Sequence, residues 1–360
     1  MPIDLGFLEP IDDTFDFSDI TLSRLGGLPQ WLNPTSPPTV DRIRCGECNQ
    51  PMRQLFQMYA PDDEVEGAYE RLLHVFVCGT AGACQRAGWT KSVKVLRAQC
   101  AEALERERGE GKESCVVCGS KAPFRCAQCS KASYCSKEHQ ALDWKEGGHK
   151  GACNSNSDGT ATETRQKFMF PLMEVVSDAE PTEDKPLKNV KIEEIPQTMD
   201  ESELAQMGIK PSKETYQKTE GDRFFLKFQR RLERDPDQIL RYTRNVEEGE
   251  GDVTLWLSEH NRLEKKDVKN CEGCGGERTL ELQLLPTVLS HLGEWGLYND
   301  WGLINIYSCD KTCEESLKDG YAEELVWHQE VSKEGVGYAT DKPEPPKKQA
   351  EQKEEDEDEE

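Results

Sequence analysis

Between Cys115 and Cys153, eight side chains able to bind a metal fall within 39 residues at regular intervals. They run Cys115-x2-Cys118, Cys126-x2-Cys129, Cys135-x3-His139 and His149-x3-Cys153. A segment this short cannot fold on apolar burial alone, because chains below about 40 residues generally need metals or cross-links. Structural zinc takes four thiolate or imidazole ligands in a closed tetrahedron. Eight ligands therefore imply two closed sites, with no position left for a catalytic water. A Cys-x2-Cys turn delivers two sulfurs to one ion, and a three-residue spacer beside histidine suits one helical turn presenting both groups on one face.

The order resembles the MYND zinc finger, and the likeness continues between the ligands in the run Tyr134 to Gln140 and in Asp143-Trp144. Where many such fingers carry cysteine, this chain has His139, a swap zinc accepts. The resemblance implies interleaved pairs: Cys115, Cys118, Cys135 and His139 on one zinc, and Cys126, Cys129, His149 and Cys153 on the other. It also implies that Gln140 and Trp144, one helical turn apart, line a groove for short proline-containing peptides. Direct nucleic-acid binding by the finger is not favoured. Residues 112–153 carry a net charge of +3, which six thiolates against two Zn2+ reduce to about +1, a weak electrostatic footprint.

The 360 residues can hold two or three domains, but 35% hydrophobic against 32% charged residues is low for a wholly packed chain and points to linker and tail. The start, Met1-Pro2-Ile3-Asp4, has no basic leader, and nowhere do 18 apolar residues occur together. A cytoplasmic protein is expected, with nuclear passage allowed and no membrane partner. In a reducing compartment fifteen cysteines argue for metal rather than disulfides. A net charge of −24 opposes binding to nucleic acid and favours a basic partner.

Along the chain, residues 1–24 are expected to be a flexible acidic lead or docking arm, with Phe15 and Phe17 among Asp12, Asp13, Asp16 and Asp19. Gly26 to Leu32 gives a turn and an aromatic anchor at Trp31, and Cys45-Gly46-Glu47-Cys48 is a knuckle of zinc type. The runs Leu55 to Ala60, Leu72 to Val77 and Trp89 with Val93 to Leu96 read as strands, and Cys78 and Cys84 complete a four-sulfur site with Cys45 and Cys48. Gly109 to Lys112 is rejected as a phosphate loop, since Arg106 replaces the first glycine and Glu113 the Ser or Thr. Residues 155–219 read as an acidic linker with an edge strand near 168–176. Phe224, Phe225, Phe228 and Leu232 predict a helix closed by Pro236. Strands are expected at Leu280 to Leu285 and Leu303 to Tyr307, and residues 336–360 as a disordered acidic tail. The leucines of 280–292 are better explained by a buried strand than by an export signal.

Set the finger aside, at residues 112–154, and the two flanks repeat. Each gives Trp-Leu, Cys-x2-Cys, a short strand, a longer strand and two cysteines. Trp31 precedes Cys45 by 14 residues and Trp256 precedes Cys271 by 15. Gln57 and Gln283 each lie nine residues after the knuckle, and Leu72 and Leu303 each lie six before the next cysteine. Cys271, Cys274, Cys309 and Cys313 thus form a second four-sulfur site, leaving Cys100 over. The expected fold is a β-rich α+β body with small zinc modules, built jointly by repeat halves 25–105 and 220–335 around the inserted finger. Zn2+ is the expected cofactor, two ions in the finger and one in each half.

The whole pattern resembles the programmed cell death protein 2 family. The likeness is carried by Gly27-x3-Trp31-Leu32, Cys45-x2-Cys48, Gln57-x-Tyr59-Ala60-Pro61, the finger, Cys271-x2-Cys274-Gly275, Asp300-Trp301-Gly302, Tyr307-x-Cys309 and Glu323-x3-Trp327. It implies a non-catalytic, dedicated chaperone for one basic small-subunit ribosomal protein, the second of the eukaryotic small subunit, acting in 40S biogenesis. The alternative is a transcriptional or chromatin adaptor using the finger's proline-peptide groove. An RNA-processing enzyme or other hydrolase would need a titratable constellation. The chain has no nucleophile elbow, HExxH helix or paired-carboxylate motif, and His74, His260, His291 and His328 stand apart from one another in the sequence.

Overall fold

The computed structural model describes residues 3–12, 15–16, 19–80, 82, 84, 89–101, 114–153, 162–181, 223–244, 246, 253–299 and 301–330. The expected tail, and the linker apart from 162–181, lie outside the described residues. The first flank folds as β1 (Asp4–Pro10), β2 (Arg24–Leu25), β3 (Arg53–Tyr59), β4 (Glu70–Val77), a helical turn α1 (Trp89–Ser92) and β5 (Val93–Cys100). The finger holds β6 (Phe124–Arg125), β7 (Ser133–Tyr134), α2 (Lys137–Lys145) and α3 (His149–Ala152), followed by α4 (Thr162–Arg165). The rest folds as β8 (Met173–Ala179), α5 (Arg223–Arg234), β9 (Leu240–Tyr242), β10 (Arg278–Leu284), α6 (Gly293–Tyr298), β11 (Leu303–Cys309), β12 (Tyr321–Glu323) and β13 (Leu325–Gln329).

One antiparallel sheet runs β12-β5-β4-β3-β2-β8-β1-β9-β10-β11-β13. Read outward from its centre, β8-β2-β3-β4-β5 is matched by β1-β9-β10-β11-β13, so the two repeats occupy the two sides. Their first strands are exchanged. β1 opens the chain but pairs with β9, Leu5 opposite Arg241, while β8 precedes the second repeat but pairs with β2, Arg24 opposite Glu174. The exchanged strands then pair with each other over seven residues, Asp4 opposite Ala179 through Pro10 opposite Met173. At the far ends β12 pairs with β5 and β13 with β11, and only Glu324 separates β12 from β13 in sequence. The chain thus steps from one end of the sheet to the other, and the sheet nearly closes on itself.

The repeat is visible in detail. A register irregularity falls between Gln54 and Phe56 on β3 and between Leu280 and Leu282 on β10. Gln57 faces His74 across one ladder, and Gln283 faces Asn305 across the other. Both glutamines are buried, and each amide oxygen accepts from the backbone N–H of the residue before the repeat's tryptophan: Gln30 at 2.9 Å and Leu255 at 3.3 Å. A buried amide has to find such partners, so the glutamine ties the Trp-Leu segment to its sheet.

Inside the nearly closed sheet lies one core drawn from both repeats, including Phe56, Val75 and Val95 with Leu240, Leu284 and Ile306. Aromatic rings fill one region of it, with Trp301 5.4 Å from Trp89 and 6.1 Å from Trp295. Polar groups gather elsewhere in the sheet. Fully buried Arg71 on β4 grips fully buried Glu281 on β10 with both guanidinium nitrogens, the Nη2–Oε2 contact being 2.6 Å. Glu281 also accepts from Ser308 and from Tyr242 at 3.1 Å. Burial alone would raise this carboxyl, but the charges of Arg71 and Arg244 and these hydrogen bonds hold it at about 2. Arg97 on β5 makes a second such contact to Glu324, at 2.6 Å. Outside the sheet, the first repeat's face (Leu72, Phe76, Leu96) packs under the finger, and the second's (Leu285, Leu303) under Phe228 of α5.

Four sequence expectations change. The described part of residues 1–24 is not a flexible lead: β1 lies in the middle of the sheet, Leu5 is fully buried and Phe15 is buried. The acidic residues after position 11 dominated the composition and masked the apolar Ile3-x-Leu5 alternation. The strand expected near 168–176 spans Met173–Ala179 and is interior, between β2 and β1, rather than at an edge. Trp89 opens a helical turn rather than a strand. The body is also not confined to 25–105 and 220–335, because the exchanged strands lie outside both ranges.

Removing residues 1–12 uncovers the edges of β8 and β9 together, and the expected result is loss of monomeric folded protein, read by size-exclusion chromatography and far-ultraviolet circular dichroism. Glu281→Gln leaves Arg71 without its counter-charge and is expected to cost about 3–5 kcal/mol in urea unfolding. Because the folded carboxyl lies below the ordinary 4.5, its contribution is complete above about pH 4.5 and lost as pH falls toward 2. A variant with unchanged acid stability would refute this.

Candidate metal centres

Each Cys-x2-Cys forms the same turn. The carbonyl of the first cysteine accepts from the backbone N–H four residues on: Asn49 for Cys45, Gly119 for Cys115, Ser130 for Cys126 and Gly275 for Cys271, all at 2.8–2.9 Å. That fourth residue is left-handed in every case, with φ of 58°, 75°, 54° and 70°. Asn and Gly tolerate this conformation best, which explains their place after the second cysteine in three of the four turns. Backbone N–H groups also point at sulfur, from Glu47 to Cys45 and from Gly276 to Cys274 at 3.4 Å, and from Lys131 to Cys129 at 3.5 Å. Such donors stabilise thiolate.

The knuckles meet their partners in four clusters, each with its ligand atoms within 4.8 Å of one another. Cys45 and Cys48 meet Cys78 and Cys84, and Cys271 and Cys274 meet Cys309 and Cys313. In the finger, Cys115 and Cys118 meet Cys135 and His139, and Cys126 and Cys129 meet His149 and Cys153. Zn–S bonds of about 2.3 Å in a tetrahedron place sulfurs about 3.8 Å apart, and a Zn–N bond of about 2.0 Å places nitrogen about 3.5 Å from sulfur. Here Sγ–Sγ distances are 3.6 Å (Cys48–Cys78), 3.7 Å (Cys118–Cys135), 3.8 Å (Cys126–Cys153), 3.5 Å (Cys271–Cys313) and 3.6 Å (Cys274–Cys309). These are far longer than a disulfide, and all fifteen cysteines are free.

The histidines present opposite nitrogens. His139 Nδ1 lies 3.3 Å from Cys135 Sγ and 3.5 Å from Cys115 Sγ, and His149 Nε2 lies 3.7 Å from Cys129 Sγ. Ser136 caps α2, accepting from the His139 N–H at 3.3 Å, so Cys135 and His139 flank the first turn and point at one place. Without a cation four thiols so close cannot all ionise. Burial, with the neighbouring sulfurs, pushes Cys78 up to about 11 and Cys309 up to about 12. A dication removes that conflict by taking the sulfurs as thiolates. The donor set therefore fits zinc in tetrahedral coordination.

Each four-cysteine loop is held by the opposite repeat. Trp295 Nε1 of α6 donates to the Cys78 carbonyl at 3.1 Å, and Asn299 Oδ1 accepts from the Gly82 N–H at 3.1 Å. In return Arg97 of β5 donates to the Cys313 carbonyl at 3.2 Å, and Gln99 to the Thr312 carbonyl at 3.0 Å. The finger is docked as firmly: Trp31 Nε1 donates to the Gly119 carbonyl at 2.7 Å, and the Lys121 N–H to Pro38 at 2.8 Å. These interlocks carry no sequence motif, so sequence reasoning missed them. Only the repeated Trp and Gln positions hinted at them.

Gln140 and Trp144 are both half-buried on α2. The Trp144 ring lies 5.8 Å from His149, so one of its sides rests on the second metal cluster. His74 and His328 are buried, and desolvation holds them at about 3 and about 4, neutral at physiological pH. His260 and His291 are exposed. Among the described residues no helix is long and apolar enough to cross a membrane.

Sheet, cysteine clusters and finger together define a zinc-binding protein of two β repeats with an inserted finger. Residues 2–108 match the programmed cell death protein 2 N-terminal domain, 115–153 the MYND finger, and 222–330 the programmed cell death protein 2 C-terminal putative domain. Programmed cell death protein 2 of Bos taurus is 34% identical, across 92% of this chain and 97% of its own length, and that of Mus musculus is equally similar. Programmed cell death protein 2-like of Mus musculus is 29% identical across 81% of this chain and 86% of its own. The chain belongs to the programmed cell death protein 2 family, which is not a known family of enzymes. No solved structure matches it.

Stripping zinc with a strong chelator at neutral pH is expected to abolish the cooperative unfolding transition of the whole body, not of the finger alone, because each loop is held by the other repeat. Differential scanning calorimetry that retained the main transition without zinc would contradict this.

Proposed function

We propose that this protein is a non-catalytic chaperone that escorts a basic small-subunit ribosomal protein, the second of the eukaryotic small subunit, during 40S biogenesis. Family membership is the observation that carries the reading. Physical chemistry supports it. A ribosomal protein without its RNA exposes dense positive charge, and a chain with a net charge of −24 attracts it and speeds its capture. In this reading four Zn2+ ions per chain are structural, with all sixteen donors committed and no ligand position open for chemistry. The work is done in the cytoplasm, with passage into the nucleus as the client travels, and without direct contact to nucleic acid.

A second reading is an adaptor that binds proline-containing peptides on the finger. The partial exposure of Gln140 and Trp144 on one helix favours it.

Tagged purification from cells at low salt, with and without ribonuclease, separates the two. The chaperone reading expects one dominant, roughly stoichiometric ribosomal protein that survives ribonuclease and persists in a Trp144→Ala variant. A spread of proline-motif regulators lost on Trp144→Ala would replace it with the adaptor. Elemental analysis of the same sample is expected to give about four zinc per chain.

A further inference from the structure

The two clusters of the finger have the same donors, three cysteines and one histidine, so what separates them is their surroundings. The first is sealed. Cys115, Cys118, Cys135 and His139 are all buried, and the three sulfurs pack in one apolar cluster with Trp31, Phe76 and Leu96 of the first repeat. Ser120, itself fully buried, brings its Oγ within 3.1 Å of Cys118 Sγ. The second is open. Cys129 and Cys153 are both partly exposed, where each four-cysteine cluster of the repeats has one such residue, Cys48 or Cys274. Its apolar packing comes from the finger itself, from Ala132 and Tyr134 with Val116.

His149 carries the sharper difference. It presents Nε2 to Cys129, so as a neutral ligand it keeps its proton on Nδ1. A zinc-bound imidazole ordinarily donates that proton to a carboxylate, a carbonyl or water, which fixes the ring and strengthens the bond. His149 is 1% exposed, and its Nδ1 has no hydrogen-bond partner among the described residues. Holding zinc therefore keeps a polar N–H dry and unpaired, a penalty that is lifted when the ring swings out to water. The helix α3 adds to this. It is a single turn, entered through left-handed Gly148 with φ of 79°, opened by His149 and capped by Cys153. A turn that short does not persist unaided.

We propose that Cys126, Cys129, His149 and Cys153 form an exchangeable zinc site, the one of the four that yields its ion to a competing zinc acceptor, and that its loading sets the shape of the finger's helical face. The link is Trp144, whose ring rests on His149 at 5.8 Å. With zinc bound, that side of Trp144 is covered. When zinc leaves, α3 is released and the side of Trp144 that faced it, on the same helix as Gln140, is uncovered. The sheet and the other three clusters stay, because the finger's first cluster is docked on the body through Trp31 and the Lys121 N–H. The inference rests on neither functional reading above.

The test uses the full-length, zinc-loaded protein and the chromogenic zinc chelator pyridylazoresorcinol, with N-ethylmaleimide to trap freed thiols and peptide mass spectrometry to place them. One zinc per chain is expected to leave on the order of tenfold faster than the other three. Cys126, Cys129 and Cys153 are expected to be the first of the cluster cysteines to be alkylated, with the main calorimetric transition retained. Release of all four ions in one phase, or first alkylation in any other cluster, overturns the site. Hydrogen exchange of the three-zinc form tests the switch. Loss of protection confined to residues 137–153 supports it, and unchanged protection there overturns it. A Cys153→Ser variant is expected to purify as a folded monomer with about three zinc; collapse of the sheet in that variant shows that the ion is not separable from the body and overturns the proposal.

Discussion

The main-chain pairing of β1 with β8 is the joint on which everything else hangs. Each repeat, taken alone, is a short sheet with one bare face and a missing strand, and an isolated sheet of that size has too little core to be stable. The missing strand is supplied by the other repeat's leading segment, and the two borrowed strands lie side by side through seven paired residues. Once they are zipped, the inner faces of both repeats look at one another and bury a single core. Arg71 and Glu281 can only meet after that has happened, because they come from opposite repeats. A buried ion pair of this kind adds little net stability but penalises any arrangement that leaves one partner alone, so here it acts as a check on register.

The metal clusters extend the same logic to the rims of the sheet. A knuckle is a loop with little apolar content of its own, the kind that a bound metal holds rather than burial. The chain uses that rigidity locally, then transfers it: α6 of one repeat is bolted to the Cys78 loop of the other, and β5 to the Cys313 loop. The finger plays an architectural part as well as any recognition part. It covers the outer face of the first repeat, as α5 covers the outer face of the second.

Much of this was written in the sequence, because metal ligands and turn residues act over short spans. The sixteen Cys and His residues that gather in four clusters were legible from spacing, and the repeat from Trp31 and Trp256, Gln57 and Gln283, Leu72 and Leu303. What stayed hidden was long-range. A strand such as Asp4–Pro10 has a weak local signature, with Gly6 and Pro10 inside it, and its identity depends on partners at Val176 and Leu240 that no local window contains. Gly6 itself makes sense only in place, since a side chain there would collide with Leu240. The closing step at Glu324 was equally invisible, for one residue between two short strands reads as an ordinary continuation.

The exchange of leading strands has a consequence in time. A ribosome delivers β1 long before its partner, since the residues it pairs with, up to Tyr242, leave the exit tunnel more than two hundred residues later. At about 5–20 residues per second, Leu5 and its neighbours wait on the order of ten seconds or more as an unpaired apolar strand. The first repeat cannot complete itself meanwhile, because its own missing strand, β8, is also still to come. A chain built this way passes through an exposed infancy, and its assembly is a single late event rather than a sequence of independently finished domains.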